Sequence, residues 1–584
     1  MKTKLLQAIK EKGFADSVII NGKFVNVASK EIYEGGVAVK DGFVLSIDNV
    51  KDYIGPQTKV IDAQGNYITP GFIDGHIHPE SSNLSIKSFA EIILRHGTTS
   101  IMTDLHEIGV VSGLEGIEAV LEEGKETDLN IYFVVPSHVP FAPNLETSGG
   151  HFNFEVIKKA LDRQDAVGLS EIVAPYLIGG LPDLVASMDE TLARGKSCQG
   201  HLPDIVGTDL DYCIAAGVTT DHECLTTDQA IERVRKGCHL MMREGSAARN
   251  LKECIKVLTE HHVDSTLCSI VTDDLHTIDA VDRGDLDDAL KTAIAEGVDF
   301  LTAVQMVTIN AARAFHLEHE VGLLAPGARA DICILDKESY AVKTTIAGGN
   351  LVYDHGEFLA HYMQKPHASC LLHTVHLSEF TSEDLAIKVS PEAKQAKVLA
   401  MRTLDWIPIT VAQDATLPVK DGIVRCDVDQ DVLYIAQVER YGINGNIGKG
   451  FIAGFNLKSG AMASSIAHDN HNIIVMGTDL DDMALALRHC QEMNGGQCLV
   501  DHGKVLADVA FPICGLLSDL SAEELSAKKK YMIKECHRLG SPIPIPFMFL
   551  SFIGLAAIPS YAITDKGFVD VMQQKVIDPI LEVK

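Results

Sequence analysis

Two histidines separated by one residue, His76 and His78, are the first residues whose types and spacing suit chemistry. They end the segment DGHIH, which the sequence predicts to be a β-strand. Side chains two positions apart on a strand point to the same side, so both imidazoles can reach one metal ion. Neutral imidazole is a ligand for zinc, iron or manganese. His-x-His also occurs by chance on exposed strands, so the remaining sequence must decide.

Acidic and histidine residues also end several predicted strands further along the chain. From about residue 71 to 320, eight strand-like apolar runs, counting the His76 strand, alternate with helical stretches. This alternation predicts a (β/α)8 barrel, in which catalytic groups lie at the carboxyl ends of the strands. Five residues stand at such ends: Asp104, Glu171, His201, His222 and Asp273.

Taken singly, these residues have ordinary structural interpretations. His201 could be a hydrogen-bonded core histidine, Asp104 could cap the following helix, and Asp221 could lie in a solvated turn. A chance scatter of such residues would not favour strand ends so consistently. We therefore interpret the set as a metal site.

Two further domains are predicted around the barrel. Residues 1–70 and 321–365 contain short β-branched segments separated by glycine turns, and we expect them to form one β-sandwich interrupted by the barrel at 71–320. The first of these sets is expected to be antiparallel. Residues 366–584 mix strands and helices and are expected to form an additional α+β C-terminal domain. The predicted fold class is thus α/β, a metal-dependent barrel with two added domains.

The C-terminal domain contains a polar segment, AHDNHN at 467–472, just before the apolar run IIVM. Its residues His468, Asp469 and His471 could form a second metal site or a substrate site. They could equally form a capped turn before a strand. The sequence leaves both interpretations open.

Composition excludes several classes of function. The formal net charge of −30 repels phosphate backbones and anionic membranes, so neither nucleic acid nor a membrane is an expected partner. Thirteen cysteines without C-x-x-C pairs are typical of a reducing compartment. The most apolar run, 547–558, is shorter than the about 20 residues that cross a bilayer. We expect a cytoplasmic protein.

Nine segments along the chain carry a resemblance to a known family. They are PGFIDGHIHPESS, HGTTSIMTDLHEIGVVSGLEGI, VPSHVPFAPNLETSG, SEIVAP, TTDHE, VTDDLHT, ERYGINGNIGKGFIAGFNLKSGAMASSIAHDNHNIIVMGTD, FPICGLLSD and PFMFLSFIGLAAIPSYAITDKGFVDV. With these segments the chain resembles the amidohydrolase superfamily, and within it the family of bacterial-type adenine deaminases. The resemblance covers nearly the whole chain, and its C-terminal segments are more specific than the metal-ligand residues, which many amidohydrolases share.

This resemblance implies two divalent metal ions, manganese or iron first and zinc as the alternative. The implied ligands are His76, His78 and Asp273 for one ion, His201 and His222 for the other, and Glu171 as the bridging carboxylate. Divalent ions lower the pKa of a bound water from 15.7 to about 7.

The implied reaction is the hydrolytic deamination of adenine to hypoxanthine and ammonia, in purine salvage or catabolism. Asp273 would accept the proton of the water and pass it to the departing amine. Protonation of the ring nitrogen N1 is left open among Glu107, His106 and Glu223.

Purine selectivity requires side chains that read the edges of the ring. The candidates are Asp104, Glu146 in the loop 141–149, Arg243 and Ser246 after the seventh strand, and His468. Adenine and water are the expected small-molecule partners, and we expect a homo-oligomer.

Two alternatives to this function remain. Another amidohydrolase, acting on a cyclic amide or a related aminopurine, would use the same ligands but generally lacks such a C-terminal region. A catalytically silent scaffold would have lost ligands, whereas all six positions here hold ligating residues.

Overall fold

The computed structural model of the chain describes residues 3–11, 13–404, 407–557 and 560–584. The described chain begins with helix α1 and five strands that precede the barrel. These elements are α1 Thr3–Glu11, β1 Ser17–Asn26, β2 Glu31–Lys40, β3 Phe43–Ile47, β4 Lys59–Asp62 and β5 Tyr67–Pro70. The expectation of a purely antiparallel unit is wrong, because β4 and β5 both run parallel to β1.

Eight parallel strands form the central sheet of the described chain. They are β6 Phe72–Asp74, β7 Thr98–Thr103, β8 Asn130–Pro136, β9 Ala166–Val173, β10 Ser197–His201, β11 Thr220–Asp221, β12 His239–Arg243 and β13 Cys268–Val271. They pair in sequence order from β6 to β13, and a parallel bridge between Ile77 and Asp273 joins the two edges. Their apolar side chains are largely buried, as in parallel sheets covered by helices. The predicted (β/α)8 barrel is confirmed.

Helices connect these strands and cover the barrel. Those between the strands are α2 Ile86–Arg95, α3 His106–Gly124, α4 Phe154–Leu161, α5 Ala174–Ile178, α6 Pro182–Ala193, α7 Gly207–Ala215, α8 Thr227–Arg235, α9 Leu251–Cys254 and α10 Lys256–Thr259, followed after β13 by α11 Thr277–Asp282, α12 Leu286–Ala295, α13 Phe300–Met306 and α14 Ile309–Ala314. Local sequence explains several of their starts. For example, Thr226 and Gln229 form a capping box that begins α8.

After the barrel the chain returns to the N-terminal strands. The returning strands are β14 Ile332–Leu335, β15 Val342–Ala347, β16 Asn350–Asp354 and β17 Glu357–Phe358. Because β14 pairs antiparallel with β5, the two sets form one mixed sheet of nine strands. Its apolar side chains, such as Ile19, Phe24 and Ile332, enclose a small separate core. The two sets therefore belong to one sheet, and the predicted domain bounds stay a prediction.

The C-terminal part of the described chain builds a mixed sheet of ten strands and a small sheet of three. Its elements are β18 Gln395–Leu404, β19 Ile407–Lys420, β20 Ile423–Val424, β21 Val432–Val438, β22 Ile447–Ala453, β23 Ala461–Ser464, β24 Ile473–Gly477, α15 Leu480–Glu492, β25 Gly496–Asp501, β26 Lys504–Ala510, α16 Ala522–Arg538, α17 Pro546–Phe552, β27 Tyr561–Thr564, β28 Gly567–Asp570, β29 Lys575–Ile577 and β30 Ile580–Val583. One cluster of buried apolar side chains contains Leu84 and Phe133 of the barrel together with Phe511 and Leu550. The barrel and the C-terminal part thus share a core.

The strand predicted to carry His76 and His78 is shorter than expected. β6 ends at Asp74, so both histidines follow the strand rather than lie within it. The Asp74 carboxylate stabilises the end of the strand here, because it accepts hydrogen bonds from His76 N at 3.1 Å and from Thr272 Oγ1 at 2.6 Å. Backbone bonds from His78 N to Asp273 O and from Asp273 N to His76 O then hold the segment against the end of β13.

Across the described residues, no helix has the length and apolar character needed to cross a membrane.

Candidate active site

His76 and His78 stand at the mouth of the barrel. His76 Nε2 lies 3.2 Å from Glu171 Oε1 and 3.6 Å from Asp273 Oδ1. His78 Nε2 lies 3.4 Å from Asp273 Oδ1. Both rings are buried, and their centroids are 4.9 Å apart. The two imidazoles therefore face the same two carboxylates, one on β9 and one just past β13.

Glu171 is the carboxylate on which the other two histidines converge. Its Oε2 lies 2.8 Å from His201 Nδ1, and its Oε1 lies 3.7 Å from His222 Nε2. Burial favours the neutral acid, but the neighbouring His201 imidazole holds the pKa of Glu171 well below its ordinary value. Its φ of +54° is in the left-handed region that few non-glycine residues adopt. A carboxylate between two pairs of histidines has the geometry of a bridging ligand.

Arg243, at the end of β12, holds two carboxylates of the site. Its two terminal nitrogens donate to both oxygens of Glu223, at 2.6 and 3.2 Å. Arg243 Nη1, which donates to Glu223 Oε1, also donates to Asp273 Oδ2 at 3.0 Å. Glu223 Oε1 in turn lies 3.1 Å from His222 Nε2. These charge-assisted bonds fix the carboxylates in front of the histidines.

The donor set suits divalent metal ions. His76 Nε2 and His201 Nδ1 are buried, and their short contacts with Glu171 do not have the geometry of hydrogen bonds. Three groups of ligand atoms lie within 4.8 Å of one another: His76 with His78 and Asp273, His76 with Glu171 and His222, and His201 with His222 and Glu223. Imidazole and carboxylate together suit manganese, iron and zinc. The structure thus brings all six predicted ligand residues together, and their role as ligands stays a prediction.

Asp104 connects His78 to His106, the first residue of α3. Asp104 Oδ1 lies 3.1 Å from Nδ1 of each imidazole. A His78 that donates its Nδ1–H to this carboxylate keeps Nε2 free for a metal. The predicted contact of Asp104 with substrate stays a prediction, because its described partners are these two histidines.

A cavity of about 330 Å³ opens in front of these groups. This volume is at the lower end of the range of small-molecule sites. The C-terminal part supplies one wall, with His468, Asp469, Phe552 and Leu555. His468 Nδ1 lies 3.0 Å from Glu107 Oε1, and the Phe552 ring stacks on His468 with centroids 4.8 Å apart. The segment 467–472 is thus a turn before β24 that also lines the cavity.

Not every predicted substrate residue lines this cavity. Asp104, Arg243 and His468 do, together with the three candidate acids His106, Glu107 and Glu223. Ser246 instead bonds Asp279 Oδ2 at 2.6 Å and accepts from His276 N. Glu146 is buried in its loop, where Oε1 accepts from Ala142 N at 2.7 Å. Neither Ser246 nor Glu146 is among the described lining residues, and their contact with substrate stays a prediction.

Sequence reasoning named the loop 141–149, which begins at Phe141, but missed the other aromatic residues of the cavity wall, His138 and Phe552. Phe141 and His138 line it from the loop after β8, and Phe552 lines it from the end of α17. The α17 sequence stood out as part of the most apolar run of the chain, considered as a membrane span, and as part of a segment that carries the family resemblance. No local pattern marks Phe552 as a cavity residue, since its position depends on the packing of α17 against the barrel.

Comparisons with known proteins agree with this geometry. The family described as "Amidohydrolase family" matches residues 67–352, and the one described as "Adenine deaminase C-terminal domain" matches residues 408–575. The chain is 39% identical to "Adenine deaminase 1" of Carboxydothermus hydrogenoformans over 97% of this chain and 96% of that protein. It is 38% identical to "Adenine deaminase" of Moorella thermoacetica, with the same coverage. A crystal structure of an adenine deaminase is similar with a TM-score of 0.44 and 17% identity, covering 58% of this chain and 100% of that chain.

These relatives span both the barrel with its histidine and carboxylate cluster and the C-terminal wall of the cavity. The chain belongs to the adenine deaminase family of the amidohydrolases.

Proposed function

We propose that the protein hydrolyses adenine to hypoxanthine and ammonia in purine salvage or catabolism. The observation that carries this proposal is the shared cavity: the segment matched by the adenine deaminase C-terminal domain places His468, Asp469 and Phe552 opposite the histidine and carboxylate cluster of the barrel. A hydrolase of cyclic amides would need the barrel cluster alone.

We propose two divalent ions, manganese or iron before zinc, as the cofactors. His76, His78 and Asp273 would hold one ion, and His201 and His222 the other, with Glu171 between them. When bound, such ions lower the pKa of a water from 15.7 to about 7 and so supply a nucleophile at neutral pH. The buried imidazole nitrogens that make no hydrogen bond among the described residues support this assignment.

Asp273 is suited to accept a proton from the attacking water. Burial disfavours its anion, but contact with His78 and the charge of Arg243 hold the pKa of Asp273 well below its ordinary value. Its carboxylate is therefore ionised at neutral pH. From this position it can take a proton and deliver it to the departing amine.

Of the three candidate donors to ring nitrogen N1, His106 is the best suited by its protonation state. Burial lowers the pKa of His106, but the Asp104 carboxylate raises it well above the ordinary value, so the imidazole carries a proton at neutral pH. Burial opposes ionisation of Glu107 and Glu223, yet His468 lowers the pKa of Glu107 to about 2, and Arg243 does the same for Glu223. These two carboxylates hold no proton to donate at neutral pH.

The flat rings of the cavity suit a purine. Phe552 on the C-terminal side and Phe141 on the barrel side offer apolar faces. His468, Asp469 and Arg243 offer polar groups that can contact the edges of the purine ring. Stacking on aromatic side chains is a common way to hold a base.

We further propose that the protein is cytoplasmic and forms a homo-oligomer. Within each chain, we propose domain boundaries near residues 70, 320 and 365. The thirteen cysteines are all free thiols, which supports a reducing compartment. Exposed apolar side chains on and beside α6, including Leu181, Val185 and Leu192, support a contact between subunits. The nine-stranded sheet, whose strands precede and follow the barrel, supports the division.

The test is product formation by the purified, metal-loaded protein. Incubation with adenine should release ammonia and hypoxanthine in equal amounts, while adenosine and a cyclic amide such as hydantoin should react at least about a hundredfold more slowly. Hydrolysis of hydantoin without attack on adenine would replace this proposal with the cyclic amide alternative.

A further inference from the structure

A second cluster of ligand-type side chains lies where the barrel meets the C-terminal part. Glu107 comes from the first turn of α3, and His468 and His471 come from the segment before β24. His468 Nδ1 lies 3.0 Å from Glu107 Oε1, and His471 Nε2 lies 3.8 Å from Glu107 Oε2. All three side chains are buried, His471 completely. None of the three belongs to the six proposed ligands described above.

His471 is the least satisfied member of this cluster. Both of its ring nitrogens are buried and lack a hydrogen-bond partner among the described residues. A buried imidazole with two unpaired nitrogens loses the hydrogen bonds that it would make in water. One of these nitrogens faces the Glu107 carboxylate at a distance too long for a hydrogen bond. An ion between them would supply the missing partner.

There is also space and a further carboxyl group beside the cluster. A small cavity of about 20 Å³, enough for one water or ion, is lined by Glu107, His468 and Glu80, among others. Glu80 is completely buried, and its Oε2 has no hydrogen-bond partner in the described chain. The carboxyl groups of Glu107 and Glu80 and the imidazole of His468 therefore line one enclosed region, and His471 faces Glu107 beside it.

We propose that Glu107, His468 and His471 form a further cation site, which takes a divalent transition-metal ion outside the binuclear centre. The distances from the Glu107 oxygens to His468 Nδ1 and His471 Nε2, 3.0 and 3.8 Å, fit such an ion. Two ligand atoms each about 2.1 Å from one ion are about 3.0 Å apart at a right angle, and farther apart at wider angles. Two imidazoles and one carboxylate suit iron, manganese or zinc. Glu80 lies close enough to the small cavity to supply a further oxygen.

The ion would join the two parts of the molecule. Glu107 is anchored on the barrel, whereas both histidines belong to the C-terminal part. Bound between them, the ion fixes the segment that carries His468 and Asp469 along the wall of the main cavity. The site uses none of the groups assigned to the binuclear centre, while two of its members, Glu107 and His468, also line the main cavity.

Metal content of the whole chain tests the proposal without reference to turnover. Metal-free protein loaded with Mn²⁺, and separately with Zn²⁺, should retain three ions per chain after gel filtration. The variant His471→Gln should retain two. The matched control His239→Gln should retain three, because His239 is a buried imidazole on β12 whose Nε2 pairs with Ser269 Oγ.

Crystals of the unmodified protein locate the ion even if His471→Gln fails to fold. Soaked in Mn²⁺ or Zn²⁺ and measured at the absorption edge of the metal, they should give an anomalous peak between Glu107, His468 and His471. Retention of two ions or fewer by the unmodified protein, or no peak at this position with either metal, would overturn the proposal. If the peak is present but the unmodified, metal-loaded protein does not deaminate adenine, the proposed function is contradicted and the cation site is not.

Discussion

The two walls of the main cavity are built in different ways. On the barrel side, the histidines and carboxylates stand at successive strand ends, so their positions follow from the repeating βα pattern. On the C-terminal side, His468 lies in a turn and Phe552 at the end of a short helix, and the shared apolar core and the contact of His468 with Glu107 bring them to the barrel. In the proposed function, the first wall supplies the chemistry of the reaction, and the second supplies the shape that recognises the substrate. Variants of the two walls should therefore fail in different ways.

The largest effect is expected on the barrel wall, from Asp273→Asn. This change keeps the shape of the side chain but removes the proton acceptor, and kcat for adenine should fall by at least about 10³-fold. The matched control is Asp274→Asn, since Asp274 also lines the cavity but its Oδ1 accepts from Ser81. A milder loss for Asp273→Asn than for Asp274→Asn would show that the roles of these neighbours are exchanged.

Glu171→Gln should damage metal binding as well as rate. A bridging carboxylate screens the repulsion between two cations, so its loss should lower metal occupancy and reduce kcat by about a hundredfold. Elemental analysis beside steady-state kinetics measures both effects. The unmodified enzyme should reach full activity in buffer stripped of bicarbonate, because Glu171 is genetically encoded. Full occupancy of both ions in the variant, or dependence on bicarbonate, would place the bridge on another group.

On the C-terminal wall, Phe552→Ala should weaken substrate binding with little effect on the chemical step. Stacking of a base on an aromatic ring contributes about 1–3 kcal/mol, so KM for adenine should rise about tenfold while kcat stays within about twofold. The matched control is Phe549→Ala on the same helix, whose ring contacts Phe455 at a centroid distance of 5.9 Å. A rise in KM of the same size for Phe549→Ala would indicate general damage to α17 rather than lost stacking.

The smallest expected effect is on stability and comes from Glu146, between the two walls. Burial raises the pKa of Glu146 from 4.5 to about 7. The folded state therefore binds a proton that the unfolded state has lost, and stability should fall as pH rises from about 4.5 to about 7. Glu146→Gln should remove this dependence and be more stable at pH 8 by up to about 3 kcal/mol.

Urea unfolding of both proteins at pH 5 and pH 8 measures this difference. KM for adenine should stay within about twofold in Glu146→Gln, because Glu146 is not among the described residues that line the main cavity. A pH dependence that is the same in both proteins would assign the effect to other groups. A large rise in KM would instead support the predicted contact with substrate.

The sequence allowed prediction of the barrel wall to a greater extent than the C-terminal wall. The eight strands and the order of Glu171, His201, His222 and Asp273 along them follow from apolar runs that end in polar residues. The end of β6 at Asp74 was not predictable, because it depends on hydrogen bonds from Thr272, which is distant in sequence. Phe552 and the partners of Arg243 were missed for the same physical reason. Their positions result from tertiary packing and charge pairing, which leave no local period in the sequence.

The central claim is that metal ions held by the barrel histidines and carboxylates carry out the deamination of adenine. Metal-free protein should be prepared with a chelator and titrated with Mn²⁺, while ammonia release from adenine and bound metal are followed together. Activity should be absent without metal and should rise until the ions held by the six barrel ligands are bound, and His201→Ala should abolish the rise. Undiminished deamination by protein without bound metal, or full activity in His201→Ala, would contradict the account.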